Sequence, residues 1–266
     1  SIPAMEGIDT RALVRHIRTK GAMKAILSTD ETSLKELEKK LAQWPGMQGR
    51  NLATEVCSSE IILAHTPSNP RLKVNLIDGG SKKNIIRLLK ESNCQIKIVP
   101  ITAEKEEWLK GADFIFLSNG PGDPASLTTA IESLQFCIGK KPIVGICLGH
   151  QLLALALGAK TYKLPFGHRG INHPIRDERS SKVEISSQNH GFCVERKSLE
   201  ETGAIVSHVN LNDQTVAGLI HKEKMIMGVQ FHPEACPGPH DSTHLVLEEY
   251  IQFAESYLLE SPLVQE

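Results

Sequence analysis

The chain has 266 residues and a formal net charge of −1, with 30 basic and 31 acidic side chains, so no global field draws it to nucleic acid or to an anionic membrane surface. No apolar run reaches the ~18 residues a membrane span requires. The opening Ser1-Ile2-Pro3-Ala4-Met5-Glu6 lacks the basic flank and apolar stretch of a signal peptide. Six cysteines (Cys57, Cys94, Cys137, Cys147, Cys193 and Cys236) lie far apart without a Cys-x-x-Cys pair. That spacing suits reduced thiols in the cytoplasm better than a disulfide framework or a zinc knot, so a cytoplasmic location is expected.

In chain order, Asp9 or Thr10 caps a helix that carries Leu13, Val14 and Ile17 at helical spacing up to residue 20. A strand is expected over Ala22 to Leu27, then an amphipathic helix over Ser33 to Gln43, capped by Ser33 and stopped by Trp44-Pro45-Gly46. The polar, proline-containing stretch His65 to Arg71 reads as a linker, which divides the chain into a small amino-terminal part, 1–70, and a larger domain, 71–266. Beyond it strands and helices alternate. Strands are expected at Lys73 to Ile77, Ile96 to Ile101, Phe114 to Leu117 and Ile143 to Ile146, and a helix capped by Ser81 over Lys82 to Glu91. This rhythm predicts an α/β fold with a doubly wound, mostly parallel sheet, preceded by a partial small α+β domain. From Lys182 on, short alternating runs (Val183 to Ile185, Ala204 to Val209, Val216 to His221) predict further strands, some antiparallel. A closing helix from His244 to Leu258, carrying Leu245, Leu247, Tyr250, Ile251 and Ala254, is expected to pack back on the core.

Three segments carry chemistry. Gly145-Ile146-Cys147-Leu148-Gly149 lies where a buried strand turns into an apolar helix, with a glycine two residues to either side of the cysteine. That is the layout of a nucleophile elbow: the turn is tight, so small residues must flank it, and the helix N-terminus favours the thiolate form that attacks carbon. The buried run Met225 to Phe231 ends in His232-Pro233-Glu234, which could supply a base and a carboxylate to orient it. Strands of an open parallel sheet gather such ends at one rim, so His232 is expected near Cys147. The loop Asn119-Gly120-Pro121-Gly122-Asp123-Pro124 follows a third strand, and the N–H groups of Gly122 and Leu148 are candidates for an oxyanion hole. Gln151 stands one turn beyond the cysteine. His150 is expected to hydrogen-bond within the first turn of its helix. His168 and His173 do not share a helical face, and no metal site is expected. Asp78-Gly79-Gly80 lacks the pattern of a phosphate loop, so no nucleotide site is expected in this chain.

The three segments G-I-C-L-G-H-Q, S-N-G-P-G-D-P and F-H-P-E together resemble the triad-type, class I glutamine amidotransferase family. Further runs (I-P-A-M-E-G-I-D-T-R-A-L from Ile2, K-G-A-M-K from Lys20, G-H-R-G-I-N-H-P from Gly167, Q-N-H-G-F from Gln188 and H-P-E-A-C-P-G-P-H-D from His232) resemble its carbamoyl-phosphate synthase small-subunit branch. The resemblance covers nearly the whole chain, which enters that pattern partway through its amino-terminal domain. It implies a class I glutamine amidotransferase-like fold and glutamine hydrolysis by Cys147, His232 and Glu234. It also implies a glutamine site formed by Gly120, Gly122, Leu148, Gln151, Asn189, Gly191 and Phe192. No cofactor is implied in this chain. The implied partner is a large synthetase subunit that uses ATP and magnesium, takes the ammonia and makes carbamoyl phosphate for arginine and pyrimidine synthesis. A stand-alone γ-glutamyl hydrolase or peptidase on the same elbow, and a non-catalytic interaction fragment, are the alternatives.

Overall fold

Strands rich in Ile, Val, Leu and Phe that bury both faces need helices on either side, and the chain supplies them in alternation. The computed structural model describes residues 3–235, 239 and 243–260. Cys236, most of the run Pro237 to Asp241 and the side chain of Leu245 therefore lie outside the described residues.

Among the described residues ten strands form one sheet: β1 (Ile62–His65), β2 (Lys73–Asp78), β3 (Gln95–Pro100), β4 (Phe114–Leu117), β5 (Ile143–Ile146), β6 (Thr161–Asp177), β7 (Val183–Val194), β8 (Ile205–Asn210), β9 (Val216–His221) and β10 (Ile226–Val229). Their order is β1-β3-β2-β4-β5-β10-β9-β8-β6-β7. The neighbours β3, β2, β4, β5 and β10 are parallel, whereas β1 and the β9-β8-β6-β7 wing pair antiparallel. The sheet is thus mixed, with a doubly wound parallel centre as expected.

Alternation sends successive strand residues to opposite layers. Ile77, Ile115, Leu117 and Ile143 join Trp108, Leu134, Leu148 and Leu152 on one face. On the other, Leu76, Phe114, Phe116 and Val144 join Ile85, Leu89, Tyr250 and Ile251. The helices behind these contacts are α4 (Lys83–Glu91), α5 (Lys105–Leu109), α6 (Thr128–Cys137), α7 (Leu148–Leu157) and α9 (Thr243–Glu260), with the short α8 (Arg196–Glu200) beside the antiparallel wing. Leu247, Tyr250, Ile251 and Ala254 of α9 are buried as predicted. The Tyr250 hydroxyl donates to the Gly145 carbonyl at 2.8 Å, which ties the last helix to the strand before the elbow.

The amino-terminal part holds α1 (Thr10–Lys20), α2 (Leu34–Gln43) and α3 (Ala53–Val56). Both expected caps are present: Asp9 accepts the Ala12 N–H at 2.8 Å, and Ser33 accepts from Glu36 while its hydroxyl donates to that carboxylate. The strand expected over Ala22 to Leu27 does not form. Ala22 donates to the Pro165 carbonyl, but no neighbouring strand continues a ladder, and Met23, Ile26 and Leu27 are exposed. Ser81 does not cap α4. Its own N–H and that of Gly80 are taken by the Asp78 carboxylate, and the helix begins one residue later, after Lys82.

Candidate active site

The parallel centre brings four chain segments to one rim: Asp78 to Lys82 after β2, Ser118 to Gly122 after β4, Cys147 after β5, and Gln230 to Glu234 after β10. Cys147 stands between β5 and α7 with φ 53° and ψ −99°, a backbone region that L-residues rarely adopt, and its N–H donates to the Val229 carbonyl at 2.8 Å. The flanking glycines are obligatory on distance alone. A Cβ on Gly145 would lie 2.7 Å from the Gly149 carbonyl carbon, and one on Gly149 would lie 2.5 Å from the Leu117 carbonyl oxygen. Helix and strand could not approach this closely with any larger side chain.

His232 and Glu234 are almost wholly buried, and the ring Nδ1 meets Glu234 Oε1 at 2.7 Å. A carboxylate accepts only, so Nδ1 carries the proton and Nε2 is left to act. Nε2 is buried and makes no hydrogen bond of ordinary geometry among the described residues. Burial alone would lower the pKa of His232. The nearby Cys147 sulfur and the Glu234 carboxylate outweigh it and raise the imidazolium well above 6.5, to about 10. For Glu234, burial pushes upward, but His232 and then Lys82 hold the carboxyl below its ordinary value. The main chain fixes the pair as well: the His232 N–H donates to Ser187, and Asn84 donates its amide to the Glu234 carbonyl at 2.6 Å.

Lys82 was not singled out from the sequence. Its Nζ lies 3.1 Å from Glu234 Oε1 and 3.3 Å from His232 Nδ1, so a cation stands behind the imidazole–carboxylate pair. The available signal was its place just past the carboxyl end of β2, at the rim where such sites form.

The expected glutamine-binding residues converge. A cavity of about 740 Å³ is lined by Gly120, Gly122, Cys147, Gln151, Asn189, Gly191, Phe192 and His232, within the size range of small-molecule sites. Glu234 and the Leu148 side chain are buried behind that wall, so Leu148 can offer only its N–H, a first-turn amide without an intrahelical acceptor. Gly122 adopts φ +102°, and a Cβ there would meet the Arg50 carbonyl at 2.7 Å. Gln151 donates to the Phe192 carbonyl at 2.8 Å and to Gln230 at 2.9 Å, leaving its own carbonyl oxygen for a ligand. The Phe192 carbonyl also receives His190 Nδ1 at 2.7 Å, which pins this part of β7. The amino-terminal part closes the cavity with Met23, Lys24, Trp44 and Met47.

His150 turns away from this site. It is fully buried, its expected first-turn hydrogen bond is not made, and it packs instead against the Gly228 backbone of β10. Burial holds it neutral down to about 3. His168 meets Asp213 at 2.7 Å and His190 at 3.2 Å, a polar network inside the antiparallel wing.

The model of the family "Glutamine amidotransferase class-I" matches residues 75–250. The carbamoyl phosphate synthase small chain of Solidesulfovibrio magneticus is 45% identical over 260 residues, covering 91% of this chain and 68% of that one. The small chain of Clostridium acetobutylicum is 47% identical over 244 residues, covering 90% and 67%. This chain therefore spans about two thirds of the length of those relatives. Among solved structures, a GMP synthase component from Thermoplasma acidophilum superposes with a TM-score of 0.61 at 26% identity, covering 70% of this chain and 95% of that one. With the matched domain enclosing the rim of glycine turns, cysteine and histidine, the chain belongs to the class-I glutamine amidotransferases, a family of glutamine-hydrolysing enzymes, and within them to the carbamoyl phosphate synthase small chains.

Proposed function

We propose that this chain is the glutaminase subunit of a carbamoyl phosphate synthase and that Cys147, His232 and Glu234 act as its triad. The observation that carries the reading is His232, held by Glu234 on Nδ1 with Nε2 left toward the strained Cys147 turn. In the first step the Cys147 sulfur attacks the side-chain amide carbon of glutamine. The N–H groups of Gly122 and Leu148 receive the oxyanion, and each such donor typically contributes ~3 kcal/mol of barrier lowering. The His232 imidazolium gives its proton to the departing nitrogen, and ammonia leaves a γ-glutamyl thioester. Neutral His232 then takes a proton from water, hydroxide adds to the thioester carbon, and glutamate departs as the sulfur regains its negative charge. Glutamine and water go in; glutamate and ammonia come out.

Free ammonia is protonated quickly in water, and ammonium is no nucleophile. A partner that consumes ammonia directly fits this chemistry: a large synthetase subunit that uses bicarbonate and handles ATP and its magnesium. The test is Cys147→Ala in the assembled complex. Carbamoyl phosphate formation with glutamine should be lost while formation with added ammonia persists. Retention of glutamine as nitrogen donor would refute the mechanism. A chain that preferred γ-glutamyl peptides to free glutamine would instead be a stand-alone hydrolase.

A further inference from the structure

Tyr250 lies in the apolar layer between α9 and the parallel strands, fully buried, with its ring edge-on to Phe116 at 5.8 Å between centroids. A phenylalanine would fill the same space, so packing does not account for the hydroxyl, and a buried polar group is costly unless it is paired. The hydroxyl donates to the Gly145 carbonyl at 2.8 Å, and the Val229 backbone N–H faces the same oxygen. Burial raises the phenol's pKa well above its ordinary value, so the donor stays in place through neutral and mildly alkaline pH.

Gly145 and Val229 belong to the two strands that carry the nucleophile and the base. β5 and β10 run parallel, with Ile146 opposite Val229. Gly145 precedes Cys147 by two residues, and Val229 precedes His232 by three. The Cys147 N–H donates to the Val229 carbonyl at 2.8 Å. Val229 thus meets the nucleophile's backbone through its C=O and the tyrosine oxygen through its N–H. Past this rung the strands part: one turns into α7, and the other runs into His232-Pro233-Glu234. The helix that carries Tyr250 is clamped along the same stretch. Arg71, just ahead of β2, donates to Glu248 and Glu255, and Arg179, just past β6, pairs with Glu249.

We propose that Tyr250 is a positioning residue for the triad: its hydroxyl pins the last shared rung of β5 and β10, and so sets the separation of the Cys147 sulfur from the His232 ring. This rests on the reading that Cys147 and His232 act together on glutamine. Tyr250 itself stands outside the cavity lining, on the face of the sheet opposite α7. Small shifts matter at such a distance from the chemistry, because proton transfer needs hydrogen-bond reach and a displacement of ~1 Å can cost about 100-fold in rate.

The experiment measures glutamate release by the full chain across pH, together with urea midpoints, for the wild type, Y250F and L247A. Phenylalanine keeps the ring and its contact with Phe116, so Y250F should fold. Its kcat should fall about 10- to 100-fold, with KM for glutamine little changed. Burial lowers the His232 pKa and the nearby sulfur raises it, so a sulfur set further away should also move the alkaline limb of kcat to lower pH. Leu247 is buried on the same helix and makes no contact through a polar group. L247A should lower the urea midpoint more than Y250F does, yet keep kcat and the position of the limb. Wild-type kcat and an unmoved limb in Y250F would overturn the proposal, as would an L247A enzyme slowed as much as Y250F. The triad reading survives both results; it fails separately, if Cys147→Ala still hydrolyses glutamine.

Discussion

At Cys147 the backbone occupies a region that costs a non-glycine residue about 1–3 kcal/mol, and the surroundings hold it there: the Val229 carbonyl takes its N–H, and Gly145 and Gly149 let strand and helix close around it. The Cys147 sulfur stands close enough to His232 to be one of the groups that raise its pKa. The partner groups depend on each other just as closely. Glu234 fixes the proton on Nδ1, and its charge helps to keep His232 an acid well into the alkaline range. Under the proposed mechanism Glu234→Gln should therefore lower kcat by about 10³- to 10⁴-fold with little change in KM, because the amide neither selects the tautomer nor stabilises the imidazolium. The direction of the pH effect follows. His232 donates a proton only below its pKa, so removing one of the charges that raise it should move the alkaline limb of kcat to lower pH. Steady-state glutamate release across pH checks both; a loss below tenfold with an unmoved limb would show that Glu234 does not orient the base.

Elements differ in how openly the sequence announces them. The parallel strands β2 and β4 were legible because short β-rich runs ended at glycine turns, and the elbow after β5 was legible because its two glycines flank a cysteine at a strand–helix junction. The long β6 was not, since Pro165, Gly167, Gly170 and Pro174 erase the alternation that marks a strand. It exists because β7 pairs along most of its length, with bulges where the pattern breaks. The opposite error, a strand over Ala22 to Leu27, had the composition but no partner, and propensity without a ladder makes no sheet. The two glycine classes in α7 separate these causes experimentally. At Gly149 a Cβ would strike the Leu117 carbonyl at 2.5 Å, whereas at Gly158, the αL cap with φ +101°, nothing lies within 4 Å. Gly158→Ala should cost only the conformational penalty, about 1–2 kcal/mol, and leave glutamine hydrolysis intact. Gly149→Ala must push α7 off the sheet, costing at least the 1–3 kcal/mol typical of overpacking and most of the activity. Urea midpoints paired with kcat for the two variants decide it; equal effects would mean that close packing at the elbow is unimportant.

Across the whole molecule, the buried histidines make folding a proton-linked event. Burial holds His150 and His190 neutral down to about 3, and His208 down to about 4, against 6.5 in an unfolded chain. As pH falls below 6.5, the unfolded chain takes up three protons that the native state refuses, so the stability present above that value is lost progressively toward pH 3–4. With all three titrating together the slope approaches about 4 kcal/mol per pH unit. His232 acts with the opposite sign. Its folded value is raised, so its contribution is complete below 6.5 and disappears as pH rises toward about 10. These opposed linkages place maximal stability near pH 6.5–7, with a steep acid side carried by histidines above the range where carboxylates protonate. Urea midpoints measured from pH 5 to 9 should trace that crest. His208→Gln, which removes one acid-side proton, should shallow the acid slope by about a third. A midpoint unchanged between pH 7 and 5 would mean that these rings take up protons in the native state as readily as in the unfolded chain.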